Sequence, residues 1–362
     1  MQAPIKLAAL SALVLGAAAV LVFNQVSPHA VHAAPAAGAH DAHVMTASEH
    51  LAHMAAAGDI HAGHALDEMR WAAMARQAAP ANLALPADDM GAVDRLAKSP
   101  RKGEYVKIDV GGMPMTAWVV QPQGTGRAPV VVVIQEIFGL SDWIRGVADQ
   151  LAAEGFIAVA PDLLSGKGPN GGDSPSFANQ NDVTQATLRL PAADVLVRLK
   201  AAREWGLKLP RSNGKSASVG YCFGGQQSFA LAVNEPGLNA AVVYYGQAPA
   251  EPAAPGAAGA GAPAPGGGRG QAAPFVPAAA IANTKAPVLG LYADPMLDAR
   301  IGATLAPTEA KMKELGKTYE PHVFAGAAHG FLRAQSQNNG ANLKASQEAW
   351  PLTVAWIKKY AS

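Results

Sequence analysis

The sequence predicts an α/β fold built on a mostly parallel central sheet with helices on both faces. Short runs of continuous apolar and β-branched residues, such as PVVVVI at 129–134, are typical of strands buried on both sides. Helix-length amphipathic stretches separate those runs, and glycine punctuates the junctions. The resulting order, βαβαβαβ, implies parallel strands joined by right-handed crossovers.

The elements run from about residue 100. Tyr105–Val110 and Thr116–Val120 alternate or are β-branched, and Gly111-Gly112 between them marks a hairpin. Pro129–Ile134 is the first buried strand. Trp143–Glu154 reads as a helix closed by Gly155, and Phe156–Ala160 as the next strand. A long helix is expected over Leu190–Trp205, followed by a turn at Ser212-Asn213-Gly214. Strand Ser216–Gly220, a helix from about Gly224 and strand Ala240–Tyr245 come next. Residues 247–280 are alanine, proline and glycine with almost no large apolar side chain, so they read as a flexible insertion at a strand end. The pattern resumes with strand Val288–Tyr292, a helix over Pro307–Leu315, strand Tyr319–Phe324 and a last helix over Leu343–Tyr360.

Bulk composition narrows the function. The 362 residues suit one large domain with extensions or two modest domains. Twenty-eight basic residues face 27 acidic ones, which leaves no basic surface for nucleic acid and no acidic tail. Met1–Lys6 carries one positive charge, and Leu7–Phe23 is an uncharged apolar run of 17 residues. His32-Ala33-Ala34 ahead of Pro35 suits signal-peptidase cleavage, so residues 1–33 are expected to be a signal peptide. Uncleaved, the same run would be a membrane anchor at the short limit for spanning a bilayer. Either way the rest is expected to act outside the cytoplasm, periplasmic or secreted.

Residues 34–99 form an extension rich in alanine and histidine. Eight of the ten histidines precede residue 65. They fall in pairs three residues apart: His29 with His32, His40 with His43, His50 with His53, and His61 with His64. On a helix such pairs could jointly offer imidazoles to copper or zinc, and His40, His43, His50, His53, His61 and His64 are the candidate ligands. The alternative is a solvated linker. Residues 100–362 make the main domain, expected to be a monomer.

The chemistry centres on Gly220-Tyr221-Cys222-Phe223-Gly224-Gly225. It follows an apolar strand and precedes a helix, as a nucleophile elbow requires. The helix N-terminus is expected to lower the thiol pKa and to stabilise an oxyanion. Cys222 is the only cysteine, so an exported chain could form no intramolecular disulfide with it. Chain order in this fold class is nucleophile, acid, histidine. Downstream lie only His322, within a strand, and His329, in the small-residue loop Gly326-Ala327-Ala328-His329-Gly330; His329 is the better base. Either Asp294 or Asp298 could orient it.

These stretches resemble the dienelactone hydrolases, or carboxymethylenebutenolidases, of the α/β-hydrolase superfamily. The shared motifs are Gln135-Glu136-Ile137-Phe138-Gly139, Ala160-Pro161-Asp162-Leu163, the Cys222 elbow, Tyr244-Tyr245-Gly246 and His329-Gly330-Phe331-Leu332-Arg333. The resemblance covers about residues 100–360 without the insertion. It implies a triad of Cys222, Asp298 and His329, with Leu297-Asp298-Ala299-Arg300 similar to the family's acid loop. It also implies that Glu136 contacts the cysteine and helps remove its proton, while a thiol neutral at rest resists oxidation. Backbone N–H groups of Ile137 and Phe223 would form the oxyanion hole. Asp162 reads as structural. The family binds a substrate carboxylate with two arginines; Arg333 matches one, while the stretch Ser165–Thr187, where the other would lie, contains none. The expected activity is cleavage of a small ester or lactone through an acyl-enzyme, with no cofactor. The alternatives are a broad exported carboxylesterase and a non-catalytic scaffold carrying a metal-binding arm.

Overall fold

The computed structural model describes residues 83–249 and 278–362. The signal segment and most of the 247–280 insertion lie outside the described residues. So do all the candidate metal ligands of the extension: His40, His43, His50, His53, His61 and His64. Among the described residues no helix is long and apolar enough to cross a membrane, and no group of three or more metal-ligating side chains comes together.

Among the described residues, eight strands form one sheet: β1 (Glu104–Val110), β2 (Met113–Val120), β3 (Ala128–Ile134), β4 (Ile157–Pro161), β5 (Ser212–Tyr221), β6 (Ala240–Tyr244), β7 (Val288–Tyr292) and β8 (Tyr319–Val323). Their spatial order is β1-β2-β4-β3-β5-β6-β7-β8. The hairpin β1–β2 and the β2–β4 pair are antiparallel; every other pairing is parallel. This is the α/β-hydrolase architecture expected from the motifs.

Strand β3 is buried along its whole length because both faces are covered. Val130, Val132 and Ile134 point into one core with Leu199, Ala202 and Phe229. Val131 and Val133 point into the other, with Trp143, Val147, Trp350 and Ile357. The two-residue period of a strand thus feeds both layers at once. The helices supplying them are α2 (Asp142–Ala153) and α7 (Ala341–Ala361) on one side, and α4 (Ala192–Leu207) and α5 (Phe223–Asn234) on the other.

Four readings differ from the sequence expectation. The turn expected at Ser212-Asn213-Gly214 lies inside β5, which already begins at Ser212. The helix expected from Pro307 is α6 (Ala299–Glu314), with the proline inside it. Its buried stripe, Ile301, Thr304, Thr308 and Met312, runs through the proline at helical spacing, so packing outweighs the lost N–H. Helix α3 (Gln180–Leu188) occupies part of the Ser165–Thr187 stretch, for which the sequence pattern predicts no element. Its side chains are mostly polar, with Val183 and Thr187 buried, and its start is fixed by Asn179 accepting from the Asp182 N–H. Finally, residues ahead of position 100 belong to the packed structure. Leu85 is buried, α1 (Ala92–Ala97) lies against α2, the Trp143 indole donates to the Ala87 carbonyl and Gln335 donates to the Pro86 carbonyl.

Candidate active site

The carboxyl ends of adjacent strands bring the predicted residues together. β5 ends at Tyr221, and Cys222 turns the chain into α5 with φ 55° and ψ −115°, a conformation rarely adopted outside glycine. Its amide donates to the Tyr244 carbonyl at 3.1 Å, tying the strained turn to β6. The flanking glycines are there for space: a Cβ on Gly220 would lie 1.9 Å from the Gly224 carbonyl oxygen, and one on Gly224 2.3 Å from that of Ile134.

Burial pushes the Cys222 thiol up to about 12; Glu136 adds to this, while the Phe223 N–H and Arg300 oppose it. The sequence expectation of a thiol acidified by the helix N-terminus is therefore corrected. Removing the sulfur from water outweighs the single amide donated to it. The resting thiol is neutral at pH 7.

Glu136 follows β3, which neighbours β5, and its side chain is almost fully buried. That burial raises its pKa to about 7; the Arg333 guanidinium opposes the rise and the Asp89 carboxylate reinforces it. Arg333 Nε lies 3.0 Å from Glu136 Oε2, and a terminal Arg333 nitrogen lies 3.1 Å from Asp89 Oδ2. Arg333, expected to face a substrate, is thus held between two carboxylates. Half-buried Ile137 continues the chain directly after Glu136.

His329 stands in the loop after β8. Its Nδ1 is 2.5 Å from Oδ2 of Asp298, the buried residue that opens α6. Burial resists ionisation of Asp298, but the His329 hydrogen bond and the charges of His329 and Arg300 prevail and hold it below the usual carboxylate range. An ionised Asp298 keeps the proton on Nδ1 and leaves Nε2 as a base. Nε2 is buried with no hydrogen-bond partner among the described residues. The ring sits edge-on to Tyr245 at 5.1 Å.

Asp294 is engaged elsewhere. Its two oxygens accept from the Met296 and Gly326 amides, clipping the loop that carries Asp298. Of the two aspartates left open by the sequence, Asp298 is the one on the imidazole. His322 Nε2 pairs with Glu320 at 2.9 Å within β8. Asp162 organises its loop, accepting from the Leu164 and Ser174 amides and the Ser174 hydroxyl.

Two participants were not singled out from the sequence. Arg300 donates through Nε to Asp298 at 3.1 Å, with a terminal nitrogen 3.0 Å from His329 Nδ1. Its place in the acid-loop motif was the available signal. Asp89 had none, because it follows a stretch of low-information composition.

Residues 115–361 match the model of the dienelactone hydrolase family. The chain belongs to that family. A Yersinia pestis protein named "Putative carboxymethylenebutenolidase" is 28% identical over 252 residues, covering 69% of this chain and 85% of the relative. A Bradyrhizobium protein named "Probable 2-oxo-3-(5-oxofuran-2-ylidene)propanoate lactonase" is 26% identical over 258 residues, 70% of this chain and 93% of its own length. A solved Klebsiella pneumoniae structure titled "Putative Dienelactone Hydrolase" superposes with a TM-score of 0.57 at 26% identity, covering 72% of this chain and 99% of that one. As a dienelactone hydrolase family member the chain is an α/β-hydrolase-fold enzyme acting on esters or lactones.

The buried carboxyl of this family member makes a pH prediction. Below about pH 4.5 Glu136 is protonated in folded and unfolded chains alike. Between there and about pH 7 the unfolded carboxyl ionises while the buried one resists, so stability falls as pH rises through that window. The loss is on the order of 3 kcal/mol by linkage. Urea melts of wild type and Glu136→Gln from pH 4 to 8 are expected to show the variant gaining relative stability with rising pH. Parallel curves would mean that Glu136 titrates as it does in the unfolded chain.

Proposed function

We propose that this chain hydrolyses a small ester or lactone through a Cys222–His329–Asp298 triad and an acyl-enzyme. The observation that carries this reading is His329, with Nδ1 held by Asp298 and Nε2 buried and unpartnered. A buried base without a partner costs free energy unless something arrives to use it. The charges of Asp298 and Arg300 also act on the Cys222 thiol, which supports placing nucleophile and base in one site.

In the proposed reaction His329 Nε2 takes the thiol proton as Sγ bonds to the substrate carbonyl carbon. The oxyanion is held by the amides of Phe223 and Ile137. Collapse breaks the C–O bond, and His329 returns the proton to the leaving alkoxide; in a lactone that alcohol stays attached to the acyl group. Water, deprotonated by His329, then releases the acid and regenerates the thiol. Glu136, with its pKa near neutrality, is a second acceptor close to a thiol that would otherwise hold its proton to about pH 12. We place this activity outside the cytoplasm, periplasmic or secreted, on the strength of the N-terminal apolar run.

The test is turnover of a panel of neutral aryl esters and lactones by wild type and Asp298→Asn. The asparagine keeps the shape but favours the wrong imidazole tautomer, so kcat/KM should fall about 100- to 10,000-fold. A variant within threefold of wild type would remove Asp298 from the mechanism. A wild type inert towards the whole panel would defeat the ester and lactone reading.

A further inference from the structure

We propose that Asp89 is a specificity-determining residue: a built-in carboxylate on Arg333 that makes this site favour uncharged substrates over carboxylate-bearing ones. The inference rests on the ester-hydrolase reading for its substrate class, but its geometry is independent of it. A guanidinium recognises a carboxylate through N–H groups along one edge of its planar fork. On Arg333 two of these nitrogens already lie against protein carboxylates. Nε faces Glu136 at 3.0 Å and a terminal nitrogen faces Asp89 at 3.1 Å. The Phe138 ring lies against the guanidinium plane, 4.7 Å from its carbon. A substrate carboxylate drawn to the Asp89-bound nitrogen of Arg333 would compete with Asp89 for it.

Asp89 is held in place rather than arriving by chance from a loose terminus. Its own amide donates to the Arg333 carbonyl at 2.9 Å, so backbone and side chain both register on the same residue. Just ahead of it, the Pro86 and Ala87 carbonyls accept from Gln335 and Trp143, and Leu85 is buried in the core. Just before it in the chain, the Asp88 side chain accepts from the Gly91 amide at 2.9 Å and closes the turn around it. This short segment precedes the residues that match the family model, 115–361.

Charge points the same way. Arg333 supplies one positive charge to Glu136 and Asp89 together, and on the other flank Arg300 is matched by Asp298. With Glu136 ionised, the sum over these five groups is negative. An anionic substrate meets this field and an occupied guanidinium, whereas an uncharged ester meets neither penalty. Asp89 is itself half-exposed, and asparagine keeps an oxygen that can accept from the same Arg333 nitrogen.

The experiment uses the full chain as wild type, Asp89→Asn and Asp89→Glu. One readout is kcat/KM for a size-matched pair of aryl esters, p-nitrophenyl pentanoate and p-nitrophenyl hydrogen succinate. The other is the rate of alkylation of Cys222, the only thiol in the chain, by iodoacetate and by iodoacetamide. In Asp89→Asn the anionic-to-neutral ratio should rise about tenfold in both readouts, and Asp89→Glu should return it towards wild type. A ratio within twofold of wild type in Asp89→Asn, or an equal rise in Asp89→Glu, overturns the proposal. Because alkylation needs no ester turnover, absence of hydrolysis with a shifted alkylation ratio would defeat the hydrolase reading and leave Asp89's role standing. Should Asp89→Asn not fold, Asp89→Ser carries the same comparison.

Discussion

Cys222→Ala is expected to lower kcat for any accepted ester at least about 10,000-fold, while the fold and its thermal midpoint stay close to wild type. No other sulfur nucleophile can substitute, since the chain has a single cysteine. Removing the nucleophile of a catalytic triad leaves only what binding and the oxyanion donors contribute, and the remaining members cannot act without it. The fold should tolerate the change because the thiol accepts one amide and packs only at the edge of a core cluster. Alanine also suits φ 55° no worse than cysteine. Steady-state assays with circular dichroism on the same samples check both halves. Residual activity above about one per cent would move the nucleophile elsewhere.

Gly220→Ala is expected to have the largest effect on stability, a loss of about 4 kcal/mol or more, reached through overpacking against backbone. The new methyl would lie 1.9 Å from the Gly224 carbonyl oxygen and 2.9 Å from the Gly225 amide nitrogen, and neither can swing aside as a flexible side chain would. Both belong to the first turn of α5, whose N-terminal amides are needed at the nucleophile, so activity should fall with stability. Gly214→Ala is the contrast. That glycine has φ 84° with open space around its position, so alanine there should cost only about 1–2 kcal/mol of backbone strain. Urea midpoints for the two variants separate steric collision from conformational cost. Equal losses would show that the elbow relaxes more easily than its contacts imply.

The parts of this molecule that were legible in the sequence are those where one local rule has one outcome. Short continuous apolar runs became β3, β6 and β7 almost residue for residue, because a strand covered on both faces needs no polar alternation. The elbow was legible because a cysteine flanked by glycines between strand and helix seldom forms anything but a nucleophile-bearing turn. His329 was legible from the loop that carries it. Asp298 was not separable from Asp294 by the residues alone, since both sit in the same short turn and only the fold decides which reaches the imidazole. The thiol's acidity, read from the helix N-terminus alone, was misjudged for a different reason. A helix N-terminus can be read from the chain, but the burial that overrides it is a property of the packed site. Pro307 misled in the same way, a local breaker signal overruled by a buried stripe running through it. Asp89 could not be found by spacing, because its meaning depends on a contact with Arg333, 244 residues away.

The central claim is that Cys222 forms a covalent acyl intermediate. Intact-protein mass spectrometry after rapid acid quench with a slowly deacylating aryl ester tests it most directly. The account predicts a mass increase equal to one acyl group within the first turnover, mapped to the peptide containing Cys222 and absent from Cys222→Ala. It also predicts that Asp298→Asn accumulates the same adduct more slowly. An adduct on another residue, or aryl alcohol released in a full first turnover with Cys222 unmodified throughout, would contradict it.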